Sequence, residues 1–175
     1  MLFAEARRPA RRTAEGEFVP LRTQDARLWN SGMIEEAETA LHYASRTKRI
    51  GRYQLEAAIQ SAHVDGARSG SVFWKGVVSL YDALVALTNS PVAIINRALA
   101  VAELQGPDAG SAALEAAGED RRVGSYQPYW AARANLLGRT GSYDAARHAY
   151  QLAIGLESDT AVREYLRRCR DDLPS

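Results

Sequence analysis

Disulfide chemistry is excluded at the outset, because Cys169 is the one cysteine in 175 residues and closes no internal bridge. Histidine is scarce too. His42, His63 and His148 lie far apart, and none stands three to five residues from another histidine or a cysteine, the spacing of a zinc site built from near neighbours. No apolar run approaches the ~20 residues that a membrane-crossing helix requires, and the start Met1-Leu2-Phe3-Ala4-Glu5 lacks the layout of a secretory signal. Charge of one sign is also missing: 22 lysines and arginines against 21 acidic residues leave +1. So balanced a chain has no strong field to draw it to nucleic acid or an anionic membrane. Neither G-x-x-x-x-G-K-[ST], G-x-G-x-x-G nor G-x-S-x-G occurs, so the common phosphate loops and nucleophile turns are absent. These absences lead us to expect a cytoplasmic protein with no cofactor, no metal and no catalytic activity.

What is present is helical period. Apolar residues make up 46% of the chain, ordinary for a globular domain able to bury its own core. Ile34, Ala37, Leu41 and Ala44 form one stripe, which predicts a helix over 31–47. Leu55, Ala58, Ile59 and Ala62 predict another over 52–64. Gly51 separates them, and Arg46, Lys48 and Arg49 put cations at the partially negative end of the first. Residues 72–88 are apolar nearly all round, which predicts a helix at the centre of the core. Ser90-Pro91 and Gln127-Pro128 start two further helices, which stop near Gly106-Pro107 and Gly141. A short helix over 108–117 lies between them. Helices over 143–156 and 160–172 close the chain, the last with Val162, Tyr165, Leu166, Cys169 and Leu173 on one side and Arg163, Arg167 and Arg170 on the other. Between Arg11 and Leu21, Glu15-Gly16 suits a small hairpin or extended loop. The paired carboxylates Glu35-Glu36 and Asp171-Asp172 belong to solvated helix faces. His63 reads as a packed or capping imidazole and Cys169 as a buried, inert thiol.

Gly141-Ser142-Tyr143, followed by Ala146, Ala149, Tyr150 and Ala153, is similar to the second half of a tetratricopeptide repeat. Small side chains there let two helix backbones approach closely while the tyrosines fill the gaps beside them. Gly106 lies one repeat length before Gly141. The expected fold is all-α, about eight helices stacked as antiparallel pairs in a right-handed, tetratricopeptide-like solenoid over 23–175. Residues 1–22 are expected to form a connecting helix end and a loop.

Several stretches together resemble the C-terminal extension of a group of bacterial extracytoplasmic-function sigma factors. Thr23-Gln24-Asp25-Ala26-Arg27-Leu28-Trp29-Asn30 is similar to that group's D-Q-D-R-x-x-W-D signature. Further likeness lies in 51–59 with Ala62-His63, in Leu80–Leu84 through Ser90-Pro91 and Asn96-Arg97-Ala98, and in Ala131–Leu137 with Gly141 and Tyr150. Ala26 stands where the signature has arginine and Asn30 where it has aspartate, so any ion pair made there in relatives is absent. The promoter-reading regions are missing, and Met1–Arg8 resembles the end of the helix that follows them.

The resemblance implies a regulatory domain that works by protein–protein contact. Its expected partners are the upstream sigma regions and RNA polymerase of a parent protein, with no nucleic acid bound directly and no membrane. The alternative is a free-standing adaptor that holds a peptide in a concave groove. Gln24, Asp25 and Trp29 open the first helix of the extension, and they either cap and anchor it or join it to the sigma regions. Asn96 and Arg97, polar inside an apolar helix, either face a groove with Arg133 or make buried hydrogen bonds to neighbours such as Asp82. Tyr53 and Gln54 complete the candidate contacts. The aromatics Tyr53, Trp74, Tyr126, Tyr129 and Trp130 either line a concave surface or, for most of them at helical spacing, belong to the core. The arginines near each end read as solvated faces.

Overall fold

The computed structural model describes residues 1–47, 49–118 and 123–174, so Lys48 of the expected cation run and residues 119–122 of the polar stretch lie outside the described residues. Nine α-helices and three 3-10 turns make up the regular structure among the described residues. Among the described residues a single antiparallel bridge, Arg12 to Phe18, closes a turn around Gly16, one of the two forms, hairpin or extended loop, that the Glu15-Gly16 pair suits. The fold is all-α. No described helix is long and apolar enough to cross a membrane.

Contacts divide the chain into two units, Met1–Thr88 and Asn89–Ser175. The division expected after residue 22 is not where contacts fall away, because α1 (Leu2–Ala6) packs into the first unit. Phe3, Ala6 and Ala10 join Trp29, Ile34, Ala37 and Val64 in one buried cluster. Full burial of side chains such as Ile34 and Val64 contributes about 1.5–3 kcal/mol each.

Helix α2 (Ser31–Ser45) starts where Asn30 caps it: the Asn30 Oδ1 accepts from the Met33 amide at 3.0 Å. Helix α3 (Arg52–Ser69) runs well beyond the expected end at residue 64 and stops at Gly70, which takes a left-handed conformation with φ +80°. Helix α4 (Trp74–Thr88) packs on α3 and buries Val77, Val78 and Leu84. The expectation that α4 is the centre of the core is wrong. Phe73 just before it is 72% exposed and Leu87 is 53% exposed, and the buried clusters lie elsewhere. An apolar sequence made the helix without supplying partners for every face.

The second unit begins with α5 (Pro91–Gln105) and α6 (Pro107–Gly118), a tight hairpin around Gly106. Gly110 lies so close to α5 that a Cβ there would come within 2.4 Å of the Ala102 Cβ and 3.0 Å of the Ala98 carbonyl oxygen. Helices α7 (Gln127–Arg139) and α8 (Tyr143–Leu156) pair in the same way. Ala134 of α7 and Ala149, Tyr150 and Ala153 of α8 share one buried cluster; Ala146 is buried but lies outside it. Asp159 caps α9 (Thr160–Asp171) through the Ala161 amide at 2.9 Å. Leu166 is buried on this pairing, with Val162, Tyr165, Cys169 and Leu173 partly buried beside it. Burial of Tyr165, with Cys169 beside it, pushes that phenol up to about 12.

Candidate functional site

The chain between Pro20 and Asn30 is neither helix nor loose loop. Pro20 is extended, Leu21–Thr23 make one 3-10 turn, Gln24 is extended again, and Ala26–Leu28 make a second turn. The Gln24 Nε2 donates to the Val19 carbonyl at 3.1 Å. Asp25 caps the second turn, its Oδ1 accepting from the Arg27 amide at 2.9 Å. The same carboxylate takes the Arg27 guanidinium, with Nε at 3.0 Å from both oxygens and Nη2 at 2.7 Å. That hydrogen bonding holds the Asp25 carboxyl below the usual carboxylate range. The pair is exposed, so it fixes local geometry more than it stabilises the fold.

Trp29 and Asn30 end this strap and do different work. Trp29 is 6% exposed, and the Arg7 guanidinium carbon lies 6.0 Å from its ring centroid. The Asn30 amide donates to the Ala6 carbonyl at 2.9 Å, which ties the end of α1 to the start of α2. Arg7 also donates to Gln60 on α3 and to the Phe3 carbonyl. Three helices are thus held at one point by the strap and a single arginine.

Facing the strap are the last turns of α3 and the connection to α4. His63 meets Trp74 edge to face, with ring centroids 5.8 Å apart. Burial lowers its pKa, and the charges of Arg7 and Arg22 lower it further. An open groove of about 710 Å³ runs between the two sides. Two of its lining residues keep a buried hydrogen-bonding atom without a partner, the Gln24 Oε1 and the Trp29 Nε1. The groove combines one partly buried imidazole, one carboxylate engaged by arginine and several apolar walls. This chemistry suits binding. Among the described residues no group of three or more His, Cys, Asp or Glu side chains is placed to hold a metal ion.

The other candidate residues are scattered. Tyr53 is 79% exposed at the start of α3, with Arg52 5.7 Å above its ring. Gln54 closes the α2–α3 connection: with its amide nitrogen toward the Arg49 carbonyl it donates at 2.9 Å and accepts from the Ser45 amide at 3.2 Å. Asn96 and Arg97 are half-buried on α5. Arg133 donates to the Tyr129 hydroxyl at 3.2 Å and sits 5.9 Å from the Trp130 ring centroid. It lines a small cavity of about 30 Å³ whose walls include Ser111 and Glu115 but neither Asn96 nor Arg97. Tyr129 is buried, with Tyr126 and Trp130 partly buried against the same cluster. The structure therefore brings Gln24, Asp25 and Trp29 together and leaves the rest apart. It also shows that these three precede the first long helix and do not open it; Asn30 does. Arg7 and Gln60, 53 residues apart in sequence, had no spacing signal to join them.

Residues 1–45 match a family of unknown function (DUF6596), a span that runs from α1 through the strap to the last residue of α2. A protein of Rhizobium meliloti (strain 1021), described as uncharacterized, is 38% identical over 173 residues, which cover 99% of this chain and 40% of that relative. The chain thus spans two fifths of the length of the curated relative it matches. No solved structure matches significantly.

Proposed function

We propose that this chain is a non-catalytic, regulatory protein-interaction domain of the tetratricopeptide-like kind that follows the DNA- and polymerase-binding regions of an extracytoplasmic-function sigma factor. It acts in the cytoplasm and modulates transcription initiation by contact with those regions and with RNA polymerase. The observation that carries this reading is the clamp at Trp29 and Asn30. The segment similar to the sigma-factor signature is the one that fixes α1 on α2 and α3. By the resemblance, α1 is the end of the helix arriving from the sigma regions. A fixed α1 sets the direction from which those regions approach, and so lets a helical domain control them. Support of a second kind comes from length, since more than half of the Rhizobium meliloti relative lies outside the shared segment.

Capture on RNA polymerase core tests the reading. This chain alone is expected to bind core weakly or not at all, and a longer chain carrying sigma regions in frame before α1 to be retained. Equal retention of both, or an upstream reading frame without sigma regions, contradicts it.

A further inference from the structure

We propose that the outer face of α4 is a self-association surface, on which a second copy of this chain packs its own α4 in the antiparallel sense. Helix α4 has two apolar sides and buries one of them, with Val77, Val78 and Leu84. The other side is a stripe. Phe73, Gly76, Leu80, Ala83 and Leu87 fall at i, i+3, i+7, i+10 and i+14, the spacing that holds residues on one seam. The Val77 amide donates to the Phe73 carbonyl at 3.1 Å, so Phe73 already belongs to the turn that opens the helix. Phe73, Ala83 and Leu87 are exposed, and Gly76 and Leu80 are half-buried. Lys75 and Asp82, the two charged side chains of α4, lie roughly 120–140° round the helix from the middle of the stripe. At its edge the Ser79 hydroxyl donates to the Lys75 carbonyl at 3.0 Å, so covering it leaves no unmet donor.

The stripe fits itself, because large and small residues alternate along it. Set antiparallel about a two-fold axis between Tyr81 and Asp82, Leu80 of each copy lies over Ala83 of the other, and Leu87 lies over Gly76. The Phe73 ring already rests across Gly76, where a Cβ would come within 2.6 Å of its Cδ1. Leu87 of the second copy therefore meets an aromatic face, and the two most exposed side chains of the stripe cover each other. The pairing is isologous and closes as a dimer, with α3 and α4 of both copies forming a four-helix arrangement. Charge does not oppose it, since the chain carries a net +1 and the stripe carries none. Size sets its strength. At 15 residues α4 is about 22 Å long. One helix face of that length falls short of the roughly 1,600 Å² of a standard interface, so the dimer is weak and reversible.

Sedimentation equilibrium of the whole 175-residue chain, over about a hundredfold range of concentration, tests this. A monomer–dimer equilibrium is expected. Leu87→Glu puts a charge on the exposed stripe and should raise the dimer dissociation constant about tenfold or more, while its thermal unfolding matches the parent. Lys75→Glu, away from the stripe, should leave association unchanged. Nuclear Overhauser contacts in a mixture of isotope-labelled and unlabelled chains then read the orientation without any substitution. Phe73 and Leu87 lie 14 positions apart in one chain, roughly 21 Å along the helix, so contacts between the Leu87 methyls and the Phe73 ring arise only from a second copy. Those contacts are expected. A chain that stays monomeric throughout, a dimer unaffected by Leu87→Glu, or contacts that join Phe73 to Phe73 would each overturn the proposal. None of these results involves polymerase, so failed polymerase capture would remove the sigma-factor reading and leave the dimer standing.

Discussion

Arg7 and Trp29 meet as cation and ring at 6.0 Å, 22 positions apart, and their contact joins the end of α1 to the strap that starts α2. The relationship has a double character. The indole is buried among Phe3, Ala6, Ile34, Ala37 and Val64, while the guanidinium above it reaches α3 through Gln60. Burial and the charge of Arg11 lower the Arg7 pKa, in that order.

Trp29→Ala is therefore expected to cost about 3–5 kcal/mol in urea unfolding, by cavity formation and loss of buried area. Hydrogen exchange at the α1 amides should rise before that of α2. Trp29→Phe should recover most of the loss, and Arg7→Ala alone should cost about 0.5–2 kcal/mol. Protection of α1 unchanged in Trp29→Ala would refute the clamp.

The substitution of asparagine for aspartate in the signature is tested at residue 30. Asn30 keeps the capping bond to Met33 that an aspartate would make, so the departure preserves the geometry and drops the charge. Asn30→Ala should destabilise by about 1 kcal/mol. Asn30→Asp should equal the parent or exceed it by a few tenths of a kcal/mol, because a carboxylate favours the helix N-terminus. Thermal unfolding of the three proteins decides this.

Stability should fall in mild acid through His63. Its folded pKa lies below the ordinary value of about 6.5, mainly because it is buried. Between the two values the unfolded chain binds more protons, so this contribution is present above about pH 6.5 and is lost as pH drops toward the folded pKa. His63→Gln should show a smaller loss between about pH 7 and pH 5 than the parent, measured by urea midpoints. Arg22→Gln should raise the imidazole pKa in an NMR titration.

Gly110→Ala probes the second unit. The added methyl would press on Ala102 and on the Ala98 carbonyl, backbone that cannot rotate away. A cost of about 1–3 kcal/mol is expected. Substitution at Gly155, with open space around it, should cost far less in the same assay.

Helices were legible because their signals are local. The limits of α8 follow from Gly141 before it and from the spacing of Ala146, Ala149, Tyr150 and Ala153 within it, and the structure has them at Tyr143–Leu156. The proline at the start of α5 and the glycine after it mark that helix as clearly. What failed was burial. Residues 72–88 read as enclosed, but hydropathy reports what a side chain prefers and not how many neighbours reach it, and Phe73 and Leu87 are left exposed. The candidate site was legible in part. Gln24, Asp25 and Trp29 stand out through the signature they resemble and do lie together, but before the first long helix and not at its opening. Their groove depends on α3 continuing past residue 64 to bring Ala67 and Gly70 opposite them, which stripe periodicity did not carry. Asn96 and Arg97 interrupt an apolar helix, which left a groove shared with Arg133 and hydrogen bonds to neighbours both open; the cavity beside Arg133 includes neither of them, a matter of packing that sequence does not carry.

Deletion of residues 23–172 from the parent chain, followed by transcription from its own promoter, tests the central claim most directly. Output is expected to change by about tenfold or more, the effect of losing a contact worth about 1.4 kcal/mol. Trp29→Ala in the full-length protein should move it in the same direction. Output identical to that of the intact protein would mean that the helical domain and its clamp have no part in initiation.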